Sequence, residues 1–528
     1  MLGLEIVVIL GIAILVCTGI ARRLRVAPPV ILLVGGVLLG FVPVLREVQL
    51  PPEVVLFLFL PALLFWESLT TSLREIRANF RGIFLTSTLL VVATAGVVAV
   101  IAHALGMPWG PAWVLGAAVA PTDATAVGAL TRRLPRRQVT VLRAESLVND
   151  GTALVIYGIA VMATVGAEEI TALHITWLVV VAYGGGIAIG AGLAWLVVRI
   201  RARLDSPIQE TVLTILTPFV AYLAAELIEA SGVLAVVIAG LMLSQAAPRR
   251  QRAGVRRQSD GFWGMSTFLL NAALFVLVGL EMQTAVRNLD GELFAGGLIA
   301  VGIVSVALIA VRIAFLFASA YAIRLIDRRP QQKLRRISNR VRIVTGLAGF
   351  RGAVSLAAAL GVPLVLASGE PFPDRDMIVF VTAGVIMVTI VVQGLLLPVV
   401  LRWAAITRDT GADEERLMAE TTASEEALEA LPDVAAELGT DADVVDRMRD
   451  EFTAHLRVLR AGESSADDDD DVRHDQQYTA LRLEIIEHKR ATVVRLRNEQ
   501  RIDDTVLRLI QKKLDVEELR LVPEEVAE

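Results

Sequence analysis

Long apolar stretches, separated by short polar ones, run from the N-terminus to about residue 403. Many of them hold about 18 or more apolar residues, enough for a helix to cross a hydrocarbon layer about 30 Å thick. The pattern predicts thirteen transmembrane helices, at residues 4–21, 28–45, 54–72, 83–105, 110–131, 142–166, 174–199, 208–229, 231–247, 262–281, 292–323, 342–366 and 376–403. The sequence therefore indicates an all-α membrane protein.

Basic residues are concentrated in alternate connections between the predicted spans. The connections after odd-numbered spans, with the adjoining span ends, hold 27 Arg and Lys residues, whereas the others hold only Arg46, Arg287 and Arg375. Loops rich in basic residues stay in the cytoplasm. We therefore expect a multi-pass protein of the cell membrane, with its N-terminus outside and its C-terminal tail in the cytoplasm.

Composition separates the membrane part from the tail. The chain has 528 residues, of which 55% are hydrophobic, too many for an ordinary soluble protein. From residue 405 onward there are 33 acidic and 17 basic residues, so the tail is strongly acidic and the remainder is basic. We predict a transmembrane domain at residues 1–404 and an acidic, mostly helical cytoplasmic tail at residues 405–528.

The tail itself divides into two helical parts. Residues 411–460 are predicted to be acidic helices, and Ser464 to Asp471 a solvated linker. Charged and apolar positions alternate at helical spacing over residues 476–521, which fits a soluble helical hairpin or a self-association element. The tail carries no recognisable motif, and a sensor and a helix without regulatory role are equally compatible with it.

Two predicted spans are interrupted near their middles. Pro121 lies inside the fifth span, and three glycines surround Arg351 in the twelfth. Proline removes a helical hydrogen bond and glycine weakens a helix. Breaks at matching places in two halves of a transporter indicate its substrate site. The two spans are seven apart, so equivalent helices run in opposite directions, as an inverted repeat requires.

Polar side chains cluster at these breaks and on the sixth span. Ser146 and Asp150 are four residues apart and share one helical face, and Glu145 and Asn149 share the next. Thr122 and Asp123 directly follow Pro121. Carboxylates in a membrane interior are costly and mark functional sites. Their oxygens suit Na⁺, Li⁺ or K⁺ and do not suit a soft metal.

Arg351 is expected to pair with Glu145, because a guanidinium at this depth needs a carboxylate partner. Asp150 is then free to bind either a proton or a cation, and competition between the two amounts to exchange. Asn149 beside Asp150, in place of a second aspartate, indicates a one-for-one, electroneutral cycle. Nothing in the sequence separates Na⁺ from K⁺ or Li⁺, and no cofactor is expected.

Three other functions compete with exchange as interpretations of these residues. A channel needs rings of polar residues along a pore, whereas these charges lie at one level. An intramembrane enzyme is disfavoured, because the five histidines do not cluster with the carboxylates and no His-Glu-x-x-His motif is present. A sensor whose tail signals from an inert membrane domain would be distinguished by deleting residues 411–528 and measuring transport.

Three sequence motifs resemble those of the sodium/proton exchangers of the monovalent cation:proton antiporter-1 family. They are Pro121-Thr122-Asp123, Glu145-Ser146-Leu147-Val148-Asn149-Asp150-Gly151 and Gly349-Phe350-Arg351-Gly352-Ala353-Val354-Ser355-Leu356. The resemblance covers about 400 residues. It implies a homodimer with a dimerisation domain and a core domain that moves like an elevator, in which the fifth and twelfth spans are unwound and cross. A role in pH and sodium homeostasis follows.

The resemblance also implies roles for particular residues. Asp150 is expected to bind the cation and the proton, and Asp123, Thr122 and Ser146 to help coordinate the cation. Asn149, Glu145 and Arg351 are expected to shape the site. Glu67 departs from the family pattern, because Trp66 separates it from Leu63-Leu64-Phe65. Three roles for Glu67 stay open from the sequence: an accessory ligand of the cation, a residue of the extracellular or cytoplasmic funnel, and a cap of its helix.

Overall fold

The computed structural model describes residues 2–24, 26–42, 55–123, 136–166, 172–204, 206–250, 253–288, 291–326, 338–406, 411–461 and 470–521. It divides the chain into two compact units, Met1–Arg408 and Asp409–Glu528. The end of the predicted fifth span, residues 124–131, lies outside the described residues. So does most of the predicted acidic linker.

Sixteen α-helices account for nearly all of the described residues in the first unit. They are α1 (Leu2–Leu24), α2 (Pro28–Leu39), α3 (Leu60–Thr70), α4 (Leu73–Phe84), α5 (Leu90–Ala104), α6 (Trp109–Val119), α7 (Arg136–Val165), α8 (Ala172–Arg201), α9 (Pro207–Glu226), α10 (Gly232–Arg250), α11 (Ala253–Asn288), α12 (Gly291–Ile326), α13 (Asn339–Leu347), α14 (Ala353–Leu360), α15 (Arg375–Val388) and α16 (Gly394–Ala404). Within those residues the only β-pairing is an isolated bridge between Val365 and Pro371.

Eight helical stretches in the described residues are long and apolar enough to cross a membrane. The predicted class of all-α membrane protein is confirmed. The count of thirteen spans stays a prediction, because the other five predicted spans are short, interrupted or continue beyond the described residues. These five are the second, third, fifth, ninth and twelfth.

Helices end at both of the sequence breaks. Helix α6 ends at Val119, and residues 121–123 are not helical. Helix α13 ends at Leu347 and α14 begins only at Ala353. The two breaks touch, since the backbone N–H of Asp123 donates to the carbonyl of Phe350 at 2.8 Å. Backbone groups freed from one helix thus find partners in the other, as burial in an apolar layer requires.

In the part of the chain that the structure describes, three π-helical turns interrupt or adjoin the apolar helices, at Val55–Phe59, Leu85–Leu89 and Thr389–Gln393. Turns of this kind are rare and occur often at functional sites. The third adjoins the break of the twelfth span, where the hydroxyl of Thr389 accepts a bond from the backbone N–H of Arg351 at 3.4 Å.

Two apolar clusters form most of the interior of the first unit. One joins α2, α5, α6, α11, α12 and α15, and the other joins α3, α8, α9 and α10. Helix α7 packs into both, through Ala160 in the first cluster and Ala144 and Leu147 in the second. The polar residues of α7 are therefore carried by a helix that is packed on several sides.

The second unit consists of four helices in its described residues: α17 (Gly411–Leu438), α18 (Ala442–Ala461), α19 (Asp470–Asn498) and α20 (Asp504–Leu521). The tail is helical, as predicted. Helix α19 begins at Asp470, so its first two residues fall within the predicted linker.

Helices α19 and α20 pack together as a hairpin with ion pairs along its edge. Arg490 contacts Asp515 at 2.6 Å and also Glu518. The pairs are partly exposed, so each stabilises the hairpin only weakly. At the start of α20 the backbone N–H of Thr505 donates to the carboxylate of Asp503, which lowers the pKa of that carboxyl.

Candidate cation site

Helix α7 carries four polar side chains deep in the first unit. Glu145, Ser146, Asn149 and Asp150 are each at most 4% exposed. Positions four apart in a helix share a face, so Ser146 and Asp150 lie one above the other. Burial of this set in an apolar helix is the arrangement that the sequence predicted.

Two of these side chains hold the break at Pro121. The hydroxyl of Ser146 donates to the carbonyl of Thr122 at 2.8 Å, and the Asn149 side-chain amide donates to the Thr122 hydroxyl at 2.7 Å. Both acceptor atoms belong to the non-helical segment that follows α6. Helix α7 thus supplies the donors that fix this segment in place.

Asp123 lies against the first turn of the half-helix α14. A Cβ atom added to Gly352 would overlap the Asp123 carboxylate. Gly352 is the N-cap residue of α14, and a negative charge at a helix N-terminus is stabilised by the partial positive charge of the unpaired N–H groups. The close approach therefore requires glycine at position 352.

We expect Gly352→Ala to disturb the site strongly. The added methyl group must displace Asp123 and the bond from Asp123 to Phe350, and overpacking of this kind costs about 1–3 kcal/mol. Cation-driven proton movement in vesicles should fall sharply, and the melting temperature of the purified protein should drop. Gly394→Ala is the matched control, because its Cβ would meet Phe350 at an ordinary 4.0 Å. Equal behaviour of the two variants would contradict this contact.

A cavity with about 400 Å³ of atom-free space opens beside Asp150. It lies between α3, α7, α11, α14 and the break after α6. Its polar lining consists of Glu67, Thr122, Asp123, Ser146, Asp150, Asn271 and Ser355. Asp150, Asp123, Thr122 and Ser146, which the sequence predicted as one site, therefore share one cavity.

Three carboxylates face this cavity. Glu67 and Asp123 are both close enough to Asp150 to act on its charge. The Oε1 atom of Glu67 is buried and has no hydrogen-bond partner among the described residues. Carboxylates that share a buried site repel one another when all are ionised, so a proton or a cation must be present to balance them. Glu67 thus lines the site itself, which favours the accessory-ligand interpretation over a funnel or a cap.

The carboxylates surround the cavity but do not converge on a point. Across the described residues no group of three His, Cys, Asp or Glu side chains is arranged to hold a metal ion. The lining instead combines charged and neutral oxygens, which suits a hard cation that enters and leaves.

The predicted pairing of Arg351 with Glu145 is wrong. Glu145 pairs with Arg312 of α12, with Nη1 and Oε1 2.5 Å apart and both side chains almost fully buried. Arg312 also donates to the carbonyl of Thr345 at 3.3 Å. The pair joins α7 to α12 and thus connects the helix of the site to the rest of the fold.

Arg351 binds backbone atoms at the two breaks. Its Nε donates to the carbonyl of Val119 at 3.1 Å and its Nη1 to the carbonyl of Gly349. Val119 is the last residue of α6, so its carbonyl lacks a helical donor. Arg351 therefore shapes the site through these two carbonyls.

A second, smaller cavity lies on the other side of the break. Thr122, Glu145, Asn149, Arg312 and Arg351 contribute to its lining. Thr122 borders both cavities. The ion pair and the guanidinium of Arg351 therefore line this second cavity and not the one beside Asp150.

Sequence reasoning missed three polar residues of this region: Arg312, Asn271 and Ser355. Arg312 is a single charged residue within a long apolar span, and a charge in that position indicates a buried partner or a functional site. Ser355 belongs to the third motif but received no role. Asn271 is a single amide in an apolar helix and gave only a weak signal.

The amino-acid sequence matches a known family of membrane proteins. The family described as "Sodium/hydrogen exchanger, transmembrane" matches residues 10–403. The chain belongs to this family. The identification made from the three motifs is confirmed, and with it a membrane protein of the cation/proton antiporter class, which is a class of transporters and not of catalysts.

Some relatives among the sodium/hydrogen exchangers match nearly the whole chain, and others match about two thirds of it. An uncharacterized Na⁺/H⁺ exchanger of Mycobacterium tuberculosis is 45% identical, covering 98% of this chain and 96% of its own. A sodium, potassium, lithium and rubidium/H⁺ antiporter of Bacillus pumilus is 32% identical, over 69% of this chain and 56% of its own.

A solved sodium proton antiporter from Methanocaldococcus jannaschii has the same fold. Its TM-score is 0.61 with 18% identity, and the match covers 76% of this chain and 99% of that one. At this identity the likeness concerns the fold alone. The arrangement of breaks and apolar helices described above is thus shared with the fold of that protein.

Proposed function

We propose that this protein is a secondary active antiporter that exchanges a monovalent cation, Na⁺ before K⁺ or Li⁺, for H⁺. Cation and proton compete for Asp150. The observation that carries the proposal is the buried cavity that brings Asp150, Asp123 and Glu67 together. Because three carboxylates in one apolar site cannot all stay ionised alone, the cavity holds either a proton or a cation, and alternating access makes this an exchange.

The roles of the surrounding residues follow from their contacts. Asp150 carries the exchanged charge, and Asp123, Thr122 and Ser146 supply further oxygens, with Glu67 as an accessory ligand. The neutral Asn149 fixes Thr122 through its 2.7 Å bond. Since Asn149 adds no titrating charge, one cation is exchanged for one proton and the cycle is electroneutral.

The proposed architecture has thirteen spans with inverted repeats, a dimerisation domain and a mobile core. Contact between the two breaks, through the bond from Asp123 to Phe350, supports a pair of unwound, crossing helices at the site. The protein functions as a homodimer in the cell membrane, and its exchange serves pH and sodium homeostasis.

The domain division and the orientation are part of this proposal. Residues 1–404 carry transport, and residues 405–528 form a cytoplasmic tail. The boundary between the compact units, at Arg408, supports the division, and the alternation of basic loops supports the orientation, with the N-terminus outside. A reporter fused to the C-terminus should be reached by protease in inside-out vesicles and protected in right-side-out vesicles.

Transport in proteoliposomes tests the function directly. At a fixed pH gradient, Na⁺, Li⁺ and K⁺ are added in turn and proton movement is recorded at several concentrations. With Na⁺ we expect proton movement that saturates and does not depend on an imposed membrane potential. Without a cation we expect no proton movement. Flux that does not saturate, or that ignores the proton gradient, would instead indicate a channel. The relative that carries sodium, potassium, lithium and rubidium is the reason for testing the whole series.

A further inference from the structure

Ser355 is a buried hydroxyl that lines the Asp150 cavity and lacks a hydrogen-bond partner in the described part of the chain. Its side chain is 1% exposed, and its Oγ makes no hydrogen bond to any residue that the structure describes. A buried hydroxyl without a partner has lost its hydrogen bonds to water and gained nothing in return, which is energetically costly. Such a group facing a cavity indicates that its partner is whatever occupies the cavity.

The helix break explains why this hydroxyl is free. A serine within a helix normally donates to the carbonyl four residues earlier, as Ser68 does to Leu64 at 2.6 Å. The residue four before Ser355 is Arg351, which lies in the break, because α14 begins only at Ala353. Because this segment is unwound, the carbonyl of Arg351 is not placed to accept a hydrogen bond from the Ser355 hydroxyl.

A free hydroxyl in this place has the chemistry of a cation ligand. Its oxygen is hard and neutral and keeps two acceptor lone pairs, as alkali cations prefer. The positive end of the α14 dipole would oppose a cation here, but the Asp123 carboxylate against Gly352 offsets it. The carboxylates supply the negative charge of the site, whereas neutral oxygens such as that of Ser355 complete the coordination of the cation.

We propose that Ser355 is a direct oxygen ligand of the transported cation and helps to determine which alkali cation is preferred. The inference rests on the proposed exchange function and adds a residue to its site. Ser355 approaches the cavity from α14, whereas Asp150 and Ser146 approach it from α7. Ligands from two helices fix the size of the space between them, and size distinguishes Li⁺, Na⁺ and K⁺.

Two substitutions test this ligand in the full chain. Ser355→Ala removes the oxygen, and Ser355→Cys replaces it with a soft sulfur of similar size, which is a poor ligand for alkali cations. Ser305→Cys is the matched control. Ser305 is also a buried serine without a partner in the described part of the chain, but it does not line the cavity.

Transport and binding are both measured. In proteoliposomes the KM for Na⁺ should rise about tenfold in both Ser355 variants, equal to about 1.4 kcal/mol of lost binding, with little change in maximal rate. The KM values for Li⁺ and K⁺ should change by different factors, so that the selectivity order shifts. In detergent, the rise in melting temperature caused by added NaCl should shrink, because a bound ligand stabilises a protein according to its affinity. Ser305→Cys should match the wild type in every respect.

Several results would overturn the inference. Unchanged KM values in both Ser355 variants would mean that water alone meets the hydroxyl. An equal rise for Li⁺, Na⁺ and K⁺ would assign Ser355 a positioning role, and the same effect in Ser305→Cys would make it a general packing effect. Failure of the exchange proposal looks different: the wild type would then show no cation-dependent proton movement at all.

Discussion

Asp150→Asn is expected to abolish cation-dependent proton movement while leaving the protein folded. Asparagine has nearly the size of aspartate, so the packing of α7 is kept. It cannot carry the charge that balances a dehydrated cation, and an unbalanced ion in an apolar interior costs several kcal/mol. Since each 1.4 kcal/mol is a factor of ten, cation affinity should fall more than about a hundredfold. Proton movement in vesicles at a fixed pH gradient is the measurement.

A carboxylate outside the cavity serves as the control for Asp150. Asp376, at the start of α15, has a side chain that is 50% exposed and lies 3.9 Å from Arg375. Asp376→Asn should transport like the wild type. Exchange that survives in Asp150→Asn would assign the moving charge to Asp123 or Glu67, and single Asn or Gln variants of these two would then identify which.

Arg312→Met is expected to be the most destabilising single change in the membrane part. It removes one partner of the buried pair and leaves Glu145, which is 1% exposed, without its counter-charge. Breaking such a pair costs about 3–5 kcal/mol. The double variant Arg312→Met with Glu145→Met should recover much of the loss, because apolar residues of similar size can replace a buried ion pair. Thermal unfolding of purified protein in detergent measures both.

The exposed pair between Arg449 and Asp446 in the tail is the control for Arg312. Its side chains are 49% and 69% exposed, so Arg449→Ala should change stability by about 0–1 kcal/mol. The opposite result would contradict the pair with Arg312. If Glu145→Met restored the stability of an Arg351→Met variant but not that of Arg312→Met, the pairing of Glu145 with Arg351 that the sequence suggested would be correct.

Local periodicity was enough to predict much of the site. The four polar residues of α7 were placed on adjacent faces from their spacing alone, because a helix has a fixed 3.6-residue turn. Pro121 and the glycines around Arg351 located the ends of α6 and α13, since proline and glycine act on the backbone of their own chain segment. These features depend on neighbours in sequence, which is why they could be predicted.

Contacts between distant segments could not be predicted in this way. Glu145 and Arg312 are 167 residues apart, and spacing offers no means of choosing between Arg312 and Arg351 as the partner. Only the packing of α7 against α12 decides it. Asn271 and Ser355 likewise join the site because α11 and α14 pass beside it, and neither helix shows this in its own pattern of residues.

The bond between the breaks has a consequence for transport. Asp123 and Phe350 belong to different spans, yet a backbone hydrogen bond joins them. Ser146 and Asn149 join the same backbone segment to α7. For the proposed exchange we therefore expect the three pieces to shift as a single block. The ion would then keep the same ligands throughout, and only the surface against which this block moves would differ between the two sides of the membrane.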